Sequence, residues 1–164
     1  HDKILMSIKN LKSKYPRVKY ISIGSGKERE KLLNLTKELK LEDHVLFLNN
    51  IDHNLKNALV SAADLFVMPS RIDNKSIEGF GIAFVEAASY GVGSIGGKDG
   101  GESDAIIHNE TGLICDGNNL NSIFESIVSF FENKKNITYG NNAKNFSKKF
   151  HWNEVVKKYL KLIN

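Results

Sequence analysis

Glu78-Gly79-Phe80-Gly81-Ile82-Ala83-Phe84-Val85-Glu86-Ala87-Ala88 places a glycine turn and a helix start between two carboxylates. Gly79 and Gly81 let the backbone turn tightly after an apolar strand at 65–68, and Ile82, Phe84, Val85, Ala87 and Ala88 predict a buried helix. The first amides of such a helix lack partners, and with the positive end of the helix dipole they form a seat for phosphate. Glu78 lies just before that seat and Glu86 just inside the helix, so a phosphate would sit between two acids able to accept from sugar hydroxyls. This suits a nucleotide-sugar better than a metal. Glu86 is the more informative acid, because a carboxylate among Val85, Ala87 and Ala88 is costly to bury without donors, and ribose hydroxyls would supply them. The plain alternatives are a dipole partner or cap at Glu78 and a Glu86 that satisfies backbone groups.

Outward from this stretch, strands alternate with helices. Ile4, Leu5, Ile8 and Leu11 recur at helical spacing and Tyr15-Pro16 ends that helix. Val18 to Ile23 reads as a strand, followed by Gly24-Ser25-Gly26 and a charged helix with Leu32, Leu35 and Leu39 turned inward. A dinucleotide-binding reading of this turn fails, because Arg29 occupies the position of the third glycine and no acid ends the next strand. Val45 to Leu48 is the next strand, Leu55, Ala58, Leu59 and Ala62 mark a short helix, and Leu65-Phe66-Val67-Met68 reads as a strand covered on both faces. From Asn119 the chain is helical, with one apolar stripe at Ile123, Ile127, Val128 and Phe131 and another at Val155, Val156, Tyr159 and Leu162. Alternation of this kind predicts a Rossmann-like α/β domain of three layers around a parallel sheet with right-handed crossovers.

The acid, seven residues and acid around E-G-F-G, followed by A-A-x-x-G, resemble the signature of family 4 retaining glycosyltransferases with the GT-B fold. Pro69-Ser70-Arg71, Gly100-Gly101, Glu110-Thr111-Gly112-Leu113 and Phe150-His151-Trp152 fall in that family's order. The resemblance covers nearly the whole chain but a single domain, the C-terminal, donor-binding half. It implies one nucleotide-sugar-binding domain over residues 1–164, with 150–164 as a helix that crosses back to an N-terminal acceptor domain. That domain and the first strand would lie outside this sequence, as would an Arg and a Lys that neutralise the departing diphosphate. A chain that opens His1-Asp2-Lys3 agrees with a fragment, one expected to bind nucleotide weakly and to transfer nothing alone.

By the same resemblance Glu78 is the catalytic-site acid that holds donor-sugar hydroxyls, Glu86 holds the ribose, Gly79 belongs to the donor site, and the amides of Phe80, Gly81 and Ile82 stabilise charge on the departing diphosphate. The resemblance also puts the backbone of Ile51 at the base edge and Ser70 in the donor site. Gly24 and Gly26, at the end of a parallel strand, support the phosphates or form a plain tight turn, and Arg71, with Lys75 in the polar loop after it, approaches the diphosphate or is simply solvated. Four positions depart from the family pattern. Asn49 stands for a glycine, Gly93 for a proline, Ser94 for a valine and Asp104 for a glutamate. The exchange at Gly93 and Ser94 is expected to weaken the strand and loosen the chain there. Trp152 is expected to pack for the last helix. A nucleotide-sugar epimerase of the same fold and a non-catalytic binding or scaffolding subunit remain the other classes.

Composition bounds these readings. At 164 residues the chain can bury a real core as one domain. The lone Cys115, in Gly112-Leu113-Ile114-Cys115, excludes an internal disulfide and reads as a buried strand residue in a reducing compartment. Asp64 interrupts the most apolar stretch, so nothing approaches the ~20 residues of a membrane span. Net charge is +4, but the lysines are mostly interleaved with Glu or Asn, which argues against nucleic acid. A denser patch at Lys144, Lys148, Lys149, Lys157, Lys158 and Lys161 leaves room for peripheral contact with an anionic membrane. A cytoplasmic enzyme, free or at the inner membrane face, is the expected setting, with bacterial polysaccharide or glycolipid synthesis the commonest one for the family. His1, His44, His53, His108 and His151 are isolated and no Asp-x-Asp pair occurs, so no metal or cofactor is expected beyond the donor itself. Two acids eight residues apart across a helix start do not flank one glycosidic bond, which argues against glycoside hydrolysis.

Overall fold

The computed structural model describes residues 1–72 and 78–163. The chain runs α1 (Asp2–Leu11), β1 (Tyr20–Ile23), α2 (Arg29–Glu38), β2 (Val45–Leu48), α3 (His53–Ser61), β3 (Phe66–Met68), α4 (Ile82–Ser89), β4 (Ser94–Gly97), α5 (Glu102–Ala105), β5 (Gly112–Cys115), α6 (Leu120–Phe131), α7 (Lys135–Ser147) and α8 (Trp152–Ile163). Every strand pair is parallel, as the alternation predicts. The sheet is nevertheless in two parts, β1-β2 and β3-β4-β5. Among the described residues β1 and β3 thus each pair on one side only, and a parallel ladder needs a partner on both to satisfy its amides and carbonyls.

The two parts share one core. Ile4, Leu5, Ile8 and Leu11 of α1 are buried with Tyr20 of β1, Ile95 of β4, Leu113 of β5 and Ile123 and Ile127 of α6. Burial of each such side chain contributes about 1.5–3 kcal/mol. The start of α1 reaches both parts. His1 Nδ1 lies 2.6 Å from the Tyr20 hydroxyl and Asp2 pairs with Arg71, just past β3, at 3.6 Å.

β4, the middle strand of its sheet, is buried along its whole length. Its small residues reflect close cover from both sides. A Cβ on Gly93 would stand 2.9 Å from Phe130 Cζ and from Tyr139 Cβ, and one on Gly96 would meet Ile106 and Glu102 at 2.8 and 3.0 Å. The glycines therefore do not loosen the chain, as the sequence suggests; they admit the helices against it. β3 is only half-buried, not covered on both faces, and α3 buries none of its side chains. The stripe of α6 turns by one residue, so that Phe130 is fully buried while Phe131 is partly so.

α8 departs furthest from expectation. Trp152 is 77% exposed, and Tyr159, Leu160 and Leu162 are exposed as well, so Trp152 is not a packing residue within this chain. No helix among the described residues is long and apolar enough to cross a membrane.

Gly93→Ala should destabilise the domain by about 1–3 kcal/mol in urea denaturation, because neither aromatic neighbour has room to yield; a neutral result would restore the loose-strand reading. Cys115 is buried as expected, and burial, then the charges of Asp116 and Glu102, push its thiol up to about 11. At pH 8 it should react with iodoacetamide about a hundredfold more slowly than an ordinary thiol, at a rate that rises with pH as thiolate forms.

Candidate functional site

The turn that opens α4 is set by one backbone conformation. Gly81 is its N-cap at φ 79°, in the left-handed region, and a Cβ there would run into the ring of Phe84. Phe84 is itself fixed, buried and edge-on to Phe66 with ring centroids 5.4 Å apart. Its amide donates to the Gly81 carbonyl at 2.9 Å. Ile82 and Ala83 precede any intrahelical acceptor, which leaves their amides at the positive end of the helix. Ile82, expected inside, is 70% exposed, so the helix start opens outward. Phe80 holds the turn from the other side through Phe150, at 5.5 Å between rings.

Glu86 also departs from the sequence reading. Its side chain is 48% exposed, so no burial cost demands donors. It has donors all the same, since Lys56 Nζ from α3 lies 3.2 and 3.1 Å from its two oxygens. Leu55 N bonds the Asp52 side chain, which caps α3 and brings Lys56 to that position. Ile51, half-buried, leads into this cap, and the left-handed residue at the exit of β2 is Asn50 at φ 50°, beside the Asn49 singled out in the sequence. Gly24, at φ 141°, and Gly26 face open space, with nothing within 4 Å of where a side chain would begin.

Ser70 and Arg71 line a cleft of about 220 Å³ between the start of α1, the end of β3 and Gly117; Glu78 and Glu86 are not among its walls. The Ser70 backbone lies against both Gly97 and Gly117, where a Cβ on either would overlap its carbonyl. Arg71 is held toward Asp2. Partial burial works against ionising Asp2, but the Lys3 amide, the amine of the first residue and the Arg71 guanidinium outweigh it and hold its carboxyl below the ordinary range. The loop reading of 73–77, with Lys75 near a diphosphate, lies outside the described residues.

The loop after β4 closes on the motif. Gly101 N donates to the Glu78 carbonyl at 3.0 Å, and a Cβ on Gly101 would overlap the Gly79 carbonyl. The stretch from Lys98 to Asp104, similar to the family loop near the sugar, comes to this neighbourhood, and its Glu102, given no role of its own on sequence, is fully buried with both carboxylate oxygens unpartnered among the described residues. A charged residue after two glycines reads as a solvated loop, so no local signal marked it. Asp104, by contrast, is exposed, and Lys98 pairs with Asp116 at 2.7 Å. Among the described residues no group of three or more His, Cys, Asp or Glu is placed to hold a metal ion.

The profile of the family described as "Glycosyl transferases group 1" matches residues 1–149. A GDP-mannose-dependent alpha-(1-6)-phosphatidylinositol monomannoside mannosyltransferase of Mycobacterium tuberculosis is 29% identical over 129 residues, 77% of this chain and 34% of that protein. The chain thus spans about a third of the length of such relatives. Among solved structures, sucrose-phosphate synthase from Thermosynechococcus elongatus superposes over 99% of this chain and 41% of its own, with a TM-score of 0.82 at 24% identity. The C-terminal domain of a glycosyl transferase group 1 family protein from Francisella tularensis does so over 90% of this chain and 77% of its own, at 0.78 and 20%. These likenesses show the fold, that of GT-B glycosyltransferases.

Gly81→Ala should lower stability by at least about 1–3 kcal/mol, from the left-handed backbone and the Phe84 overlap together. Urea denaturation measures this, and loss confined to ligand binding with unchanged stability would show that the turn tolerates a side chain.

Proposed function

The chain belongs to the glycosyl transferases group 1 family, and from that premise we propose that it is the donor-binding domain of an enzyme that moves a sugar from a nucleoside diphosphate to an acceptor hydroxyl, with retention and without a metal. The observation that carries this reading is the Gly81-capped start of α4, where Ile82 is exposed and which follows Glu78 beside the Gly100-Gly101 loop. The amides of Gly79, Phe80, Gly81 and Ile82 take charge that builds on the departing diphosphate. Glu78 holds donor-sugar hydroxyls and so positions the anomeric carbon. There the bond to phosphate breaks, the acceptor oxygen forms the new bond, and the acceptor's proton leaves with the diphosphate.

Glu86 holds the ribose, in exchange for or together with Lys56. Gly24 and Gly26 leave room for the diphosphate, Ile51 meets the base, and Ser70 and Arg71 line the approach. The edges of β1 and β3 that have no strand partner among the described residues support a preceding strand between them, and the bare apolar face of α8 supports contact with an N-terminal acceptor domain. The mycobacterial relative's name points to a lipid acceptor, and the lysines around α8 suit an enzyme at the inner face of a membrane, making glycolipid or polysaccharide.

Calorimetric titration with UDP, GDP, ADP and CDP tests the reading. One diphosphate should bind, and Glu86→Ala should weaken it roughly tenfold or more, the worth of hydrogen bonds to a charged group at about 1.5–3 kcal/mol. Equal affinity of the variant would remove Glu86 from the ribose site, and absence of binding to all four would overturn the donor-domain reading.

A further inference from the structure

Glu102 stands outside everything the proposed mechanism uses. It begins α5, its stem lies over Gly96 of β4, and its carboxylate points back beneath Gly100. The point where a Cβ on Gly100 would stand is 2.5 Å from Glu102 Oε2, 2.8 Å from the Glu78 carbonyl and 3.2 Å from Glu78 Cβ. The Glu102 carboxylate and the backbone and Cβ of Glu78 therefore meet at one glycine. Glu102 is 0% exposed and neither of its oxygens has a partner among the described residues.

A buried carboxylate in that state is costly, and an apolar side chain of similar volume would fill the space without the cost. Residues that lower the stability of a fold while fitting no structural need are found where a ligand uses them. We propose that Glu102 is a donor-recognition residue, a second carboxylate beside Glu78 that accepts hydrogen bonds from hydroxyls of the transferred sugar. The proposal rests on the donor-site reading above. Gly100 lies against the Glu102 carboxylate, and the backbone bond from Gly101 N to the Glu78 carbonyl ties this loop to the turn. A sugar entering between turn and loop parts them, and its hydroxyls supply the donors that the carboxylate lacks. Glu102 then distinguishes a diphosphate-sugar from the bare diphosphate, and does nothing for the nucleotide.

The test compares the complete protein with its Glu102→Leu and Glu102→Gln variants, by thermal denaturation without ligand and by calorimetry with GDP-mannose against GDP and UDP-glucose against UDP. Glu102→Leu should melt no lower than the parent. It should bind the preferred diphosphate-sugar about tenfold or more weakly, because a site built to accept hydrogen bonds loses discrimination with its acceptor, while affinity for the bare diphosphate stays within about twofold. Glu102→Gln, which keeps one acceptor, should fall between. Unchanged sugar preference in either variant overturns the proposal and leaves the donor site standing. Equal losses for sugar and bare diphosphate, or an unfolded Leu variant with normal preference in the Gln variant, assign Glu102 to structure and overturn it as well. A parent that binds bare diphosphates but gains nothing from the sugar overturns the recognition role alone; one that binds no nucleotide overturns both readings.

Discussion

The left-handed backbone at Gly81 is the constraint on which the rest of the site depends. It aims α4 so that Phe84 drops against Phe66 in the core while Ile82 stays in solvent. The same rotation puts the Gly79 and Glu78 carbonyls where the Gly100-Gly101 loop can rest on them. A β-carbon at residue 81 would collide with the ring that anchors the helix, so the turn and the core cannot be adjusted separately. Free amides at the helix start follow from this geometry and need no further device.

Close approach between layers is the second theme. β4 is a buried strand of small residues because Phe130 and Tyr139 press on one end of it and Ile106 and Glu102 on the other. Glycine is ordinarily a weak strand former, but here the packing of the covering side chains outweighs propensity. The ends of β3, β4 and β5 then converge tightly, with the Ser70 carbonyl wedged between Gly97 and Gly117. The loop that carries Gly100 and Gly101 leaves from that crowded edge.

Charge is arranged more loosely than packing. Lys56 and Glu86 meet across α3 and α4 with both partners in reach of water, where such a pair contributes little to stability and is easily exchanged for ligand hydroxyls. Arg71 and Asp2 make a similar surface tie beside the cleft. Glu102 is the opposite case, an acid sealed in with no partner among the described residues. That contrast sets it apart from the acids around it, the half-buried Asp99 and the exposed Asp104.

The alternation of apolar strands with amphipathic helices, the parallel pairing and the E-G-F-G turn were legible residue by residue, because period, glycine placement and helix-start chemistry are local properties. Val45 to Leu48 agrees with its strand to the residue, and α1 buries the four side chains its spacing marks. Which acid is buried was not legible. Glu86 sits among apolar neighbours in sequence yet points to solvent, since a helix presents adjacent residues about 100° apart; Glu102 follows two glycines yet points inward. The split of the sheet and the bare face of α8 likewise depend on partners that no local pattern encodes. Sequence alone determined the order and kind of most elements and the place of the glycine turn before α4, while tertiary packing decided which side chains were left without a partner, because burial is a property of neighbours brought from far along the chain.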